Sequence, residues 1–147
     1  MAKSLAEALD AAIEKIVDLE YRAGVTGHLR SFVETTLGRG SRIASSVHSP
    51  AAFDLTVVGG PIWHHAMSSP VRSYLALHRN DFHDVAFFCT GAAPSGNRIF
   101  QQMAEICERN PVAVIAVTED QVARHAHLSL IERFRDRLGG RLVASPL

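Results

Sequence analysis

The stretch FDLTVVGGPIWHHAMSSPVRSYL (53–75) decides the fold. It starts with a short apolar run, breaks at two adjacent glycines, and then carries a proline, a tryptophan and two histidines before a helical pattern starts. An uninterrupted apolar run is typical of a strand that is covered on both faces, as in a parallel sheet. The stretch therefore predicts a buried strand over 53–60, then a loop, then a helix over 69–79.

Two later stretches repeat this pattern of an apolar run followed by a helix. HDVAFFCTG (83–91) and NPVAVIAVTED (110–120) are the apolar runs, and helical patterns follow them at 97–110 and 120–138. Strands that alternate with helices indicate an open α/β sheet with right-handed crossovers. We therefore predict a parallel sheet with helices on both faces, in one domain that spans residues 1–147.

The amino-terminal third has a weaker pattern. Apolar residues at helical spacing predict an amphipathic helix over 3–12 and a second helix over 25–37. Between them, the mixed polarity of 13–20 predicts a short extended segment at the edge of the sheet. The small and polar residues of 40–51 predict a loop.

Composition narrows the class of protein. The chain has 147 residues, is 47% hydrophobic, and carries 15 basic and 15 acidic residues. Such a balance provides no electrostatic basis for binding nucleic acid or an anionic membrane surface. No apolar run approaches the roughly 18 residues that span a bilayer, and the first residues do not resemble a secretory signal. We expect a cytoplasmic protein whose two cysteines, Cys89 and Cys107, are buried thiols.

The carboxyl ends of the three predicted strands are the candidate binding region. Ligands of open α/β sheets bind beyond these ends. The first two loops are rich in glycine and small residues, which let backbone N–H groups approach a flat ligand. Trp63 in the first loop offers a face for stacking on a ring. The residues therefore predict a planar ligand with polar edges.

The two glycine-rich stretches resemble those of a known family. FDLTVVGGPIWHHAMSSPVRSYL (53–75) resembles the third strand, second flavin loop and following helix of flavodoxin-like proteins, and VAFFCTGAAPSGN (85–97) is similar to their fourth strand and third flavin loop. The resemblance covers nearly the whole chain. It implies a flavodoxin-like, doubly wound parallel sheet of three layers, with FMN as the cofactor.

The resemblance also assigns cofactor-binding residues in two groups. In that family the second loop stacks on the isoalloxazine ring, and the third loop donates backbone hydrogen bonds to its pyrimidine edge. The residues that match the second loop are Gly60, Pro61, Ile62, Trp63 and His64. Those that match the third loop are Thr90, Gly91, Ala92, Gly96 and Asn97. No catalytic side chain and no metal ligand is expected, because the flavin supplies the redox chemistry.

The chain departs from the family at its start. Flavodoxin-like proteins open with a strand and a Thr-Gly-Asn-Thr-type loop, which cradles the phosphate at a helix N-terminus. Here AKSLAEALDAA (2–12) resembles the helix that follows this loop, so the first strand is expected to be missing and the segment 13–19 to lack its neighbour. Three explanations stay open: a start codon assigned too far downstream, a fragment, or a naturally shortened variant.

Two functions follow, from different classes. The first is an FMN-binding redox protein that passes electrons to a partner protein, or that reduces a quinone-like acceptor with NAD(P)H. The alternative is an interaction module that keeps the fold but no longer binds FMN. An unpaired strand edge would then favour a homodimer, because exposed edges recruit other strands.

Two further hypotheses have less support in the residues. The adjacent pair His64–His65 suggests a metal site, but no second pair at ligand spacing accompanies it. His125 and His127 are predicted to lie on a helix surface. A serine hydrolase is disfavoured because the chain has no Gly-x-Ser-x-Gly elbow.

Overall fold

A parallel sheet with one short antiparallel addition forms the centre of the molecule. The computed structural model describes residues 1–19, 41–63, 66–91 and 96–142. Its strands are β1 (Leu55–Trp63), β2 (Ala66–Met67), β3 (Asp84–Gly91) and β4 (Ala113–Thr118). Over these residues the sheet has four strands in the order β2-β1-β3-β4, and β1, β3 and β4 are parallel.

Helices cover both faces of this sheet. They are α1 (Ala2–Leu9), α2 (Ser69–Leu77), α3 (Gly96–Cys107), α4 (Glu119–Ala123) and α5 (His127–Leu142). Residues of α2 and α3 pack on one face and residues of α1 and α5 pack on the other. The predicted α/β class, with three layers and an open parallel sheet, is therefore confirmed. The predicted helix over 25–37 lies outside the described residues.

The central strand β3 contributes side chains to both cores. Val85, Phe87 and Cys89 point to the α2–α3 side, whereas Ala86 and Phe88 pack on the α1–α5 side. This alternation follows from the two-residue repeat of a strand. Because both faces are covered, the run from Val85 to Cys89 is apolar without interruption, which is the pattern of a strand buried on both sides.

The first strand runs further than its sequence indicates. We predicted a strand that ends at Gly60 and a loop from Pro61, but β1 continues to Trp63, and that prediction was wrong. Gly60 is paired with Cys89 and Pro61 with Thr90, so both belong to the parallel ladder. Proline is tolerated in a strand whose outer side lacks a full partner, and only the two residues of β2 lie on that side among the described strands.

The segment after α1 does not join the main sheet. Asp18 forms an isolated antiparallel bridge with Ile43, supported by hydrogen bonds from Leu19 N to Arg42 O (2.8 Å) and from Ala44 N to Val17 O (2.9 Å). We predicted an edge strand of the sheet over 13–20 and a loop over 40–51. Instead these two stretches pair with each other, because the backbone groups of 42–44 satisfy those of 17–19.

The carboxyl-terminal helical region is broken, contrary to the prediction of one helix over 120–138. Helix α4 ends at Ala123 and α5 begins at His127. His125 lies between them in the left-handed region, with φ at 57°. His125 is exposed as predicted, whereas His127 is buried, with 5% of its surface exposed. The turn accounts for this difference. His125 lies in the turn and His127 starts the next helix, so the regular rotation of a single helix does not relate their side chains. None of the helices in the described part of the chain has the length and apolar character needed to cross a bilayer.

Candidate functional site

The carboxyl ends of the three parallel strands lie side by side. Pro61 of β1 is paired with Thr90 of β3, and Thr90 is paired with Val117 of β4. The structure therefore brings those predicted second-loop and third-loop residues that it describes to one edge of the sheet. At the end of β4, Thr118 caps α4: its hydroxyl accepts from Gln121 N, and Gln121 Oε1 accepts from Thr118 N.

The end of β1 presents an aromatic side chain to solvent. Trp63 is 48% exposed and lies opposite Ala66 in the hairpin with β2. Pro61 is exposed as well, whereas Ile62 is half-buried against the α2–α3 core. Gly60 faces α2, where an added Cβ would lie 3.2 Å from Val71 Cγ2. The predicted residue His64 lies outside the described residues.

The end of β3 is held close to the end of β1. Thr90 is half-buried and Gly91 is buried. A Cβ at Gly91 would lie 3.4 Å from Ile62 Cβ, an ordinary van der Waals contact, so the two strand ends lie side by side without requiring a glycine here. Gly96 begins α3, and Asn97 is exposed in its first turn. Ala92 is not among the described residues.

A small cavity beneath this edge limits how deep a ligand can reach. Its volume is about 10 Å³, and it lies between the ends of β1 and β3 and the helices α2 and α3. That is about the smallest volume that holds one water molecule. Cys89 lines it, and burial raises the pKa of this thiol to about 11. A planar ligand at this edge therefore lies outside the core, above a neutral thiol.

A larger cavity lies beside the ends of β3 and β4. Its volume is about 300 Å³, and it is lined by Met1, Thr90, Glu119 and Val122. It is open to solvent and has four lining residues, so it is a depression in the surface rather than an enclosed pocket. Sequence reasoning missed Met1, Glu119 and Val122 as lining residues. The one signal in the sequence was the position of Glu119 at the end of the third apolar run (110–120), while the approach of α1 to this edge is a tertiary contact.

The amino terminus of α1 lies beside this cavity, which Met1 lines. Met1 is the N-cap and makes no capping hydrogen bond with its side chain. The first helical N–H with an internal partner is that of Leu5, which donates to Met1 O at 3.0 Å. The preceding N–H groups are thus free of intrahelical partners, as at any helix N-terminus. Glu119, which also lines this cavity and is exposed, brings a negatively charged residue to the same place.

Metal-ligand side chains do not cluster in the described part of the chain. Over residues 1–19, 41–63, 66–91 and 96–142, no three His, Cys, Asp or Glu side chains lie close enough together to hold a metal ion. The pair His64–His65, on which the metal hypothesis depended, lies outside these ranges.

Solved structures share this fold, although comparisons of sequence find no relative. A scan against protein-family models finds no match, and no curated protein matches in sequence. A flavoprotein from Bacteroides uniformis ATCC 8492 is similar in structure with a TM-score of 0.70 and 18% identity, over 91% of this chain and 86% of the other. One from Bacteroides eggerthii DSM 20697 has a TM-score of 0.65 and 18% identity, over 88% of this chain and 87% of the other.

A third structure carries a bound cofactor. The flavoprotein from Lactobacillus acidophilus NCFM was solved in complex with FMN; its TM-score is 0.59 at 19% identity, over 84% of this chain and 89% of the other. The chain therefore has the fold of these flavoproteins, a flavodoxin-like open α/β sheet.

Proposed function

We propose that this chain binds FMN at the carboxyl edge of its sheet. One observation carries the proposal: Thr90 pairs with Pro61 near the half-exposed Trp63, and it also lines the 300 Å³ cavity beside α1. Thr90 therefore lies between an exposed aromatic side chain and a cavity at a helix N-terminus. A flavin with a phosphate tail needs both features, and the fold shared with flavoproteins favours the same edge.

The ring side of FMN fits the residues present. Trp63 offers an exposed aromatic face, and stacked rings gain about 0.5–1.5 kcal/mol beyond the area they bury. The other predicted ring neighbours in the described part are Gly60, Pro61, Ile62, Thr90, Gly91, Gly96 and Asn97. The main-chain groups of this set would donate to and accept from the polar edge of the ring. The cavity of only 10 Å³ below keeps the ring at the surface of the edge.

The phosphate side has one favourable feature and one unfavourable feature. The N–H groups in the first turn of α1, which have no intrahelical partner, favour an anion, as at other helix N-termini. The carboxylate of Glu119 opposes one. We therefore expect this site to bind the ring more strongly than the phosphate.

Bound FMN would supply one-electron or two-electron transfer, and the chain would act by positioning and shielding. Burial keeps Cys89 a neutral thiol at physiological pH, so it leaves the charge near the ring unchanged. We propose electron transfer to a partner protein, or reduction of a quinone-like acceptor with NAD(P)H, as the redox role. Consumption of NADH or NADPH by the FMN-loaded protein, with and without a quinone, distinguishes the two roles.

A titration with FMN tests the proposal directly. Trp63 is the only tryptophan of the chain, so intrinsic tryptophan fluorescence reports on the proposed stacking residue alone. We expect FMN to quench this fluorescence in a saturable way and to change the flavin absorption between about 350 and 500 nm where oxidised flavins absorb. A protein that shows neither change at millimolar FMN would refute the proposal.

Removal of the tryptophan face should weaken flavin binding. Trp63→Ala is expected to weaken FMN binding about 2- to 12-fold, because it removes 0.5–1.5 kcal/mol of stacking. Isothermal calorimetry measures this change without the fluorophore. Phe53→Ala is the matched control: Phe53 is also a partly exposed aromatic (38%), but it precedes β1 at the other edge of the sheet. Equal losses in the two variants would argue against stacking on Trp63.

Removal of the negative charge of Glu119 should strengthen the binding of FMN through its phosphate group and leave the binding of the ring unchanged. Glu119→Gln keeps the size of the side chain and removes a negative charge. We expect FMN to bind about 2- to 5-fold more tightly, which corresponds to 0.5–1 kcal/mol for an exposed charge pair, and riboflavin affinity to stay the same. A gain of the same size for riboflavin, which lacks the phosphate, would place the phosphate elsewhere.

The second candidate, an interaction module without flavin, is favoured by Glu119 in the cavity and by the edge of β1. Among the described residues, Leu55 to Pro61 have a strand neighbour on one side only. Such an edge can pair with a second copy of the chain. This candidate predicts no response in the FMN titration and a dimer in light scattering, whereas a monomer without flavin binding would contradict both candidates.

A further inference from the structure

A serine, a histidine and an aspartate form a hydrogen-bonded chain far from the flavin edge. Asp81 Oδ2 lies 2.8 Å from His78 Nδ1, and His78 Nε2 lies 3.4 Å from Ser46 Oγ. His78 follows the last residue of α2 and Asp81 precedes the start of β3 by three residues. The group therefore lies at the amino edge of the parallel sheet.

The carboxylate of Asp81 sets the tautomer of the imidazole. Because a carboxylate only accepts hydrogen bonds, it holds the proton of neutral His78 on Nδ1. The lone pair on Nε2 then faces the hydroxyl of Ser46, which donates to it. His78 is well shielded, with 14% of its side chain exposed, while Asp81 is 41% exposed. A separation of 3.4 Å is long for a hydrogen bond, but nucleophile and base are often further apart before substrate binds.

A second hydroxyl lies beside the serine. The side chain of Tyr74 contacts that of Ser46, and its ring packs on His78 with 4.6 Å between centroids. Burial raises the pKa of Tyr74, and the nearby carboxylate of Glu14 raises it further. The phenol therefore stays protonated at physiological pH. The protonated phenol lies beside the Ser46 hydroxyl, so it is the candidate donor to the oxygen of a substrate bound there.

Hydrogen bonds on both sides keep the Ser46 loop in place. The carboxylate of Glu14 accepts from Val47 N at 2.7 Å and from His48 N at 3.0 Å. These backbone bonds lower the pKa of Glu14, so the anchor stays charged near neutral pH. On the other side, Ser73 Oγ of α2 donates to Ser41 O at 2.6 Å. Such anchoring positions a nucleophile against its base.

We propose that Ser46, His78 and Asp81 form an acyl-transfer site for uncharged esters. Ser46 Oγ would bond to the acyl carbon while its proton moves to His78 Nε2. The bond to the alcohol oxygen would then break, and the alcohol would leave with that proton. Water would then attack the acyl carbon and give a proton to His78 Nε2. The bond from this carbon to Ser46 Oγ would break, and His78 would return the proton to Oγ, which releases the carboxylic acid and restores the serine hydroxyl. Asp81 would hold the imidazole, and Tyr74 would donate to the oxyanion.

The surroundings of Ser46 define the class of substrate. The carboxylates of Glu14 and Asp81 flank the site and disfavour an anionic substrate. A triad is recognised by geometry rather than by a sequence motif, so the missing Gly-x-Ser-x-Gly elbow is compatible with this site.

Active-site labelling of the full chain tests the proposal. A fluorophosphonate probe forms an Oγ–P bond with an activated serine and releases fluoride together with the serine proton. We expect a single adduct on Ser46, located by peptide mass spectrometry, and none in Ser46→Ala. Ser45→Ala is the matched control, because Ser45 is the exposed neighbour and should leave labelling unchanged. An unlabelled Ser46 in the folded wild-type protein, or an adduct only on Tyr74, would overturn the proposal.

Hydrolysis of p-nitrophenyl acetate gives a second measurement. We expect Ser46→Ala to reduce the rate to that of buffer, and Asp81→Asn to reduce it about tenfold or more, since oriented general-base catalysis contributes at least that factor. A wild-type rate equal to that of buffer would overturn the proposal. Because the two sites lie at opposite edges of the sheet, Ser46→Ala should leave the FMN titration unchanged, and the two proposals can fail independently.

Discussion

Gly59→Ala is expected to lower the free energy of unfolding by about 3 kcal/mol, the upper end of the range for overpacked cores. A Cβ at this position would overlap with the carbonyl oxygen of Phe88 and would lie 2.6 Å from Phe88 Cδ1. The carbonyl belongs to the neighbouring strand, so it can move only if β1 and β3 separate. For a chain of this size the melting temperature should fall by about 6–12 °C, which calorimetry measures.

A glycine in an open position provides the control for this substitution. Gly139 lies in α5, and a Cβ there would meet nothing within 4 Å. Gly139→Ala should therefore stabilise the protein by about 0.5–1 kcal/mol, because alanine favours the helix. If Gly59→Ala were as stable as the wild type, the close approach of β1 to the Phe88 carbonyl would be wrong.

Leu75→Ala is expected to lower the free energy of unfolding by about 2–5 kcal/mol. Leu75 has 0% of its surface exposed and belongs to the core between the sheet, α2 and α3. Truncation removes buried apolar surface and leaves a cavity that rigid neighbours on the strands fill only in part. Urea denaturation followed by circular dichroism gives the change directly.

Leu77→Ala is the control that separates the effect of burial on stability from the effect of helix propensity. Leu77 lies two residues further along the same helix and is 64% exposed. The change in helix propensity is the same at both positions, so Leu77→Ala should stay within about 0.5 kcal/mol of the wild type. Similar losses in the two variants would show that α2 does not pack on the sheet through Leu75.

The uninterrupted apolar strands made most of the fold predictable. A strand covered on both faces must be apolar throughout, and the runs in 83–91 and 110–120 fulfil this condition. Both lie within two or three residues of β3 and β4 as observed. The edge of the sheet that carries the candidate flavin site was predictable for the same reason, because the direction of parallel strands fixes where their carboxyl ends meet.

Other features depend on contacts between residues far apart in sequence. The extension of β1 to Trp63 depends on the approach of Gly59 to Phe88, and a glycine pair by itself indicates a turn equally well. The pairing of 17–19 with 42–44 depends on backbone groups, which carry no sequence signal. Ser46, His78 and Asp81 came together only through the anchoring of one loop on the end of α2.

The sequence by itself determined the α/β class, the buried strands and the side of the sheet at which their carboxyl ends meet. Hydrophobic periodicity reports burial, and the order of strands and helices reports strand direction. Only the tertiary structure decided the cavity beside α1 and the carboxylate that lines it. It also decided the contact between a serine and a histidine 32 residues apart. Side-chain positions of this kind arise from packing between elements, which a one-dimensional pattern does not encode.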